Sequence, residues 1–224
     1  MTMVTTLIVP GLHSSGEDHW QTWLEHQTPA SVRVIQRDWR TPDLSEWSRK
    51  IRNVISATPG RHLVVAHSFG VLASVQAATD LAHRISGALL VAPADPERFG
   101  VADLLPAEAL PFPAVVVGST NDPWMSLDAA AHWADFWNAD LVNLGEAGHI
   151  NSASGYGPWP EGLALLERLR RRAARIEHWR ASDTAQSTLP AAHRANWGSQ
   201  RARGAGPQIA DAAPRRRLSA SGIG

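Results

Sequence analysis

Ser68 stands in the string Ala66-His67-Ser68-Phe69-Gly70, directly after the apolar run Leu63–Ala66. A serine hydroxyl is a weak nucleophile unless a base takes its proton. A serine between small residues, where a buried strand turns into a helix, is set up for that chemistry. The turn is so tight that the residues two before and two after must be small. It lifts the hydroxyl out at the carboxyl edge of the sheet, beside the helix N-terminus. There the dipole and unpaired N–H groups favour developing negative charge. A serine after a strand is more commonly just a helix N-cap. The apolar strand before it and the helical pattern after it favour the elbow. Ala66 stands where the pattern G-x-S-x-G has its first Gly, a departure of one methyl group.

The base is expected late in the chain, because folds carrying such an elbow run Ser, then acid, then His. His149, in Gly145-Glu146-Ala147-Gly148-His149-Ile150-Asn151, follows the last apolar run. The acid is expected beyond a strand between the two. Asp122, in Ser119-Thr120-Asn121-Asp122-Pro123, fits, and its role is to orient and stabilise the imidazole. Asp95, in Val91-Ala92-Pro93-Ala94-Asp95, is the rival, since it also follows an apolar run. Asp122 is preferred because its strand directly precedes that of His149, and sequential strands are usually neighbours. Singly, Gly-His and Asp-Pro pairs are ordinary turns. In order, each beyond a separate strand, the three residues are harder to dismiss.

An oxyanion would be held by the Phe69 N–H and a second N–H from the loop Pro10-Gly11-Leu12-His13, from Leu12 or His13. His13 and His19 are placed to line the site. Three of the ten tryptophans, Trp20, Trp124 and Trp159, lie in or beside the site loops and are candidate walls for a substrate pocket. Trp23, Trp47 and Trp133 read as helix-face core. His67 adjoins Ser68, but neighbours in an elbow point apart, so it is not the expected base. No metal-ligand spacing and no phosphate loop is present, so neither a metal nor a cofactor is expected.

Positioning these residues takes six strands: Thr6–Val9, Val32–Ile35, Leu63–Ala66, Ala88–Val91, Ala114–Val117 and Asp140–Leu144. Most are continuous apolar runs, as in a parallel sheet covered on both faces. Helical patterns alternate with them at Trp20–His26, Asp43–Ser56, Phe69–Thr79, Leu127–Trp137 and Gly162–Arg172. The alternation predicts an α/β fold with a mostly parallel six-stranded sheet and helices on both faces. Val91 to Ala114 is too short for a lid domain, so the site is expected to be open and to suit small substrates. The folded domain is expected over 1–179. The segment 180–224, rich in Ala, Gly, Pro and Arg, is expected to be disordered.

At 44% hydrophobic and 19% charged, the 224 residues can bury a sizeable core. The zero net charge hides an asymmetry: 10 basic and 18 acidic residues precede Arg170, and 11 and 3 follow from it. An acidic body argues against nucleic-acid binding. The basic end reads as a solvated run. No membrane span or signal peptide is visible, so a cytoplasmic location is expected. The absence of cysteine excludes thiol catalysis and disulfides.

The chain resembles the small serine hydrolases related to retinoblastoma-binding protein 9 and the bacterial YdeN-type proteins. Val9-Pro10-Gly11-Leu12, His19-Trp20, Trp23, the Ala66–Gly70 string, Asn121-Asp122-Pro123-Trp124, Leu144–Asn151 and Gly155–Gly162 carry the likeness, over roughly 6–169. It implies a minimal α/β-hydrolase fold with a triad at Ser68, Asp122 and His149, and names no substrate. From the residues themselves, Ser68 is expected to attack a small ester, thioester or amide, with His149 as base and no cofactor. The alternative is a weakly active or non-catalytic protein-binding module on the same fold.

Overall fold

The computed structural model describes residues 3–106 and 108–187. The apolar runs pair as β1 (Val4–Val9), β2 (Ser31–Arg33), β3 (Arg61–Ser68), β4 (Ile85–Pro93), β5 (Ala114–Gly118) and β6 (Asp140–Asn143). They form one sheet in the order β2-β1-β3-β4-β5-β6, and every neighbouring pair is parallel. Parallel neighbours need crossover connections. Four contain an α-helix: α1 (Trp20–Gln27), α2 (Leu44–Ala57), α3 (Phe69–Leu81) and α4 (Leu127–Phe136); α5 (Pro160–Ser187) follows β6.

Alternate side chains of each strand point to opposite faces, so both faces become core. Leu7, Val9, Val64, Ala66, Leu90 and Val116 pack with α2, α3 and α4. Ile8, Leu63, Val65, Leu89, Val91 and Val117 pack with α1 and the first turns of α5. Each such Leu, Ile or Val side chain contributes roughly 1.5–3 kcal/mol by leaving water. Helix α2 shows how sequence sets the fit. Asp43 caps it by accepting from the Glu46 N–H at 2.9 Å, and Leu44, Trp47, Ile51 and Ile55 form one buried stripe. Helix α3 lies inside the molecule, with small residues at Gly70, Ala73, Ala77 and Ala78 where it meets the strands and α2.

The strand order reverses between β1 and β3: from β1 the chain first adds β2 on one side, then β3 on the other. Open parallel sheets bind ligands in the crevice beyond such a switch point. Ser68 ends β3 on one side of it, and the Pro10–Gly16 loop follows β1 on the other.

Two elements differ from the sequence expectation. β2 is an edge strand of three residues, and Ile35, expected within it, is exposed. It pairs only with β1, so its ladder ends once Val34 N–H has reached the Ile8 carbonyl. Helix α5 continues through Ser187, past the expected end at Arg172 and into the segment expected to be disordered. Residues 173–187 include four Ala and two Arg and contain no Gly or Pro, so helix propensity extends the element. The rest of that segment, 188–224, lies outside the described residues. Between β4 and β5 the chain has one described short turn of helix, Ala102–Leu104, and Val101, Leu105, Leu110 and Phe112 dock in the core. None of the described helices is long and apolar enough to cross a membrane.

Candidate active site

Ser68 has φ 54 and ψ −126. This left-handed, strained conformation costs a non-glycine residue about 1–3 kcal/mol. It is held because the chain reverses from β3 straight into α3. Gly70 explains why the turn closes. A Cβ there would lie 2.7 Å from the Val9 carbonyl oxygen and closer still to that of Pro10. Gly11 is equally constrained, since a Cβ would come within 2.7 Å of the Ser68 Cβ. Ala66, by contrast, points its methyl into the core, so position 66 tolerates the side chain that positions 11 and 70 do not.

His149 approaches from the loop after β6. Its Nε2 lies 2.9 Å from Ser68 Oγ, and its Nδ1 lies 2.9 and 3.0 Å from the two carboxylate oxygens of Asp122. The Asp122 side chain is 2% exposed and that of His149 9%. One carboxylate oxygen also accepts the Trp124 N–H at 2.9 Å. An Nδ1–H held by the carboxylate leaves Nε2 as the acceptor for the serine proton, which is the arrangement that activates a hydroxyl. Asp95 is occupied elsewhere. Its carboxylate accepts the Glu97 N–H at 3.0 Å and its carbonyl the Phe99 N–H, so it shapes the loop after β4.

The two loops carrying Asp122 and His149 are laced together by residues that sequence reading passed over. Asn121 Oδ1 accepts the Gly148 N–H at 2.6 Å and lies 2.8 Å from the Ser119 hydroxyl, which itself accepts the Ala147 N–H at 3.0 Å. The Thr120 N–H donates to the Gly145 carbonyl. Ser154 Oγ accepts the N–H of His149. The one available sequence clue was the pair of short polar residues two apart at the end of β5.

His67 also lines the cavity. Its ring lies 5.0 Å from the His149 ring and 4.9 Å from that of His19, and its Nε2–H donates to the His149 carbonyl at 3.0 Å, not to Ser68. Burial pushes the His67 pKa well below the usual imidazole value. His19 is lowered to about 4, first by burial and then by the charges of Arg33 and His149. Its Nδ1 accepts the Gln21 N–H at the start of α1, an unprotonated role.

Of the two candidate oxyanion donors in the first loop, His13 is engaged: its N–H donates to the Trp39 carbonyl at 2.8 Å. Among the described residues the Leu12 N–H has no such acceptor. Successive positive φ values at His13 and Ser14 turn the loop there. Phe69 is the first residue of α3, where an N–H has no partner in its own helix.

A cavity of about 390 Å³ opens over Ser68. Leu12, His13, His19, Phe99, Trp124, His149 and Asn151 are among its walls. Trp124 stands in it, 51% exposed. Trp20 and Trp159 do not. Both are buried in the core below, packed edge to face at 5.2 Å, and Trp20 Nε1–H donates to the Ile150 carbonyl at 2.8 Å. They support the His149 loop from beneath because an indole N–H there has a carbonyl to satisfy. The described residues hold no group of three side chains suited to a metal ion.

Residues 6–168 match the serine hydrolase family. A crystal structure described as that of a YdeN-like hydrolase from Pectobacterium atrosepticum is 39% identical, covering 76% of this chain and 92% of that one, with a TM-score of 0.73. The YdeN protein of B. subtilis superposes with a TM-score of 0.63 at 18% identity, covering 75% of this chain and 100% of its own. A protein of the α/β hydrolase superfamily from Xanthomonas campestris gives 0.56 at 17%, covering 76% and 99%. No curated protein matches the chain. The all-parallel six-stranded sheet, the family match and the 39% identical structure together make this chain a member of the serine hydrolase family, a small YdeN-type enzyme of the α/β-hydrolase superfamily.

Proposed function

We propose that the enzyme cleaves small carboxylic esters, thioesters or amides through an acyl-enzyme formed on Ser68. The observation that carries this reading is the unbroken chain Asp122–His149–Ser68, with contacts of 2.9–3.0 Å. Ser68 Oγ attacks the carbonyl carbon while its proton passes to His149 Nε2. The N–H groups of Leu12 and Phe69 hold the oxyanion. As the bond to the leaving group breaks, His149 returns that proton to it. Water then attacks the acyl carbon, gives its proton to His149, and releases the acid and the serine hydroxyl. Asp122 stays ionised and stabilises the imidazolium at each stage. A module that only binds proteins has no use for such a chain, which weighs against the non-catalytic alternative.

Ser68→Ala is expected to fold as the wild type and to lose on the order of 10⁴-fold or more in kcat on a short ester. Near-native hydrolysis by a folded Ser68→Ala protein would remove Ser68 from the role of nucleophile.

A further inference from the structure

The cavity over Ser68 is two-sided, and the strand order makes it so. The β1 loop lies on one side of β3, and the loops after β4 and β5 lie on the other. The β1 side presents His13 and Ser14. Asn151 and Ser152 join that side, because Trp20 at the start of α1 ties down the segment after His149 through the Ile150 and Tyr156 carbonyls. The other side presents Ala94, Phe99 and Trp124.

Phe99 and Trp124 are held as a unit. Arg98, beside Phe99, donates to the carbonyl of Pro123, beside Trp124, at 2.6 Å. Phe99 is backed by a row of aromatic rings running into the core. It lies 5.1 Å from Phe69, which lies 5.2 Å from Trp47, which lies 5.7 Å from Trp39. The backbone N–H of Trp124 donates to Asp122 at 2.9 Å, and its ring stands 6.3 Å from that of His149. No Asp, Glu, Lys or Arg side chain lines the cavity among the described residues. A charged substrate group would therefore lose its water without gaining a partner. A planar apolar group on the Phe99–Trp124 side would cover aromatic faces now in solvent.

From this we propose that Phe99 and Trp124 are specificity-determining residues that select an uncharged ester with a flat, aryl-like group on one side of the scissile bond. The proposal rests on the Ser68 acyl-enzyme reading.

Two matched pairs of neutral esters test it: benzyl against cyclohexylmethyl acetate, and vinyl benzoate against vinyl cyclohexanecarboxylate. Each kcat/KM is divided by the hydroxide-catalysed rate of the same ester, which removes intrinsic reactivity. In at least one pair the flat member is expected to be favoured about five- to tenfold. Trp124→Leu and Phe99→Leu each bring that ratio towards one; Trp124 is half exposed, so its replacement does not threaten the fold. A para-carboxylate on the preferred aryl ring is expected to cost more than about tenfold. Ratios near one in both pairs, ratios unmoved in both variants, or full tolerance of the carboxylate would each overturn the proposal. If that happens while hydrolysis still depends on Ser68, the aromatic half-site alone is wrong. If none of the esters is cleaved and none acylates Ser68, the acyl-enzyme reading fails and this proposal fails with it.

Discussion

At the residue scale, the two candidate acids now have different surroundings. Asp122 is buried with both oxygens on His149 Nδ1, whereas Asp95 caps a turn at the Glu97 N–H. Asp122→Asn is therefore expected to lower kcat by roughly 10³–10⁴-fold with binding little changed, and Asp95→Asn far less. Measured kcat values in the reverse order would put the acid on the wrong strand. The buried histidines give a second prediction, for stability. Unfolded His19 takes up its proton near 6.5, and folded His19 does so only near 4. Between those values the unfolded chain binds more protons, so the folded state loses stability as the pH falls through that window. Above it, the stabilisation is fully present. The loss attributable to His19 is on the order of 3 kcal/mol, and His67, also lowered, adds in the same direction. His19→Asn keeps a side-chain acceptor for the α1 N-cap and removes the titration. Its Tm is expected to fall less steeply between pH 6.5 and 4 than that of the wild type. An equal slope would show that the acid sensitivity lies elsewhere.

At the element scale, the elbow works because two backbones meet without a side chain between them. β1 ends at Val9, α3 begins at Phe69, and Gly70 lets them touch. Gly70→Ala forces a methyl against two carbonyl oxygens, Val9 and Pro10. It is expected to cost about 1–3 kcal/mol in denaturant unfolding and to lower kcat by displacing Ser68. An unchanged midpoint and an unchanged kcat would mean that the contact relaxes freely. The elements were largely legible in the sequence, because continuous apolar runs alternating with helical stripes allow few other sheets. The elbow was legible because it is local: strand, serine, glycine and helix are adjacent in the chain. Trp20 and Trp159 were misplaced for the opposite reason. An indole in a site loop can turn outwards or inwards, and what decides it for Trp20 is a hydrogen bond to a carbonyl 130 residues away. The lacing by Ser119 and Asn121 likewise joins two loops that only the sheet brings together. The length of α5 was missed because helix propensity continued where apolar periodicity stopped.

At the scale of the whole molecule, a site assembled from the ends of β1, β3, β5 and β6 exists only when the sheet is complete and in order. Ser68, Asp122 and His149 are far apart in sequence, and the switch point between β1 and β3 leaves the crevice in which they meet. A folded molecule should therefore have one serine of unusual reactivity, and an unfolded one none. A fluorophosphonate probe reads this directly. Native protein is incubated with the probe and its intact mass is measured, followed by peptide mapping. Heat-denatured protein and the folded Ser68→Ala variant are treated in the same way. The expected result is a single adduct, located on Ser68, in the native protein alone. A native protein that stays unlabelled, or one labelled at another serine while Ser68 remains unmodified, would contradict the account.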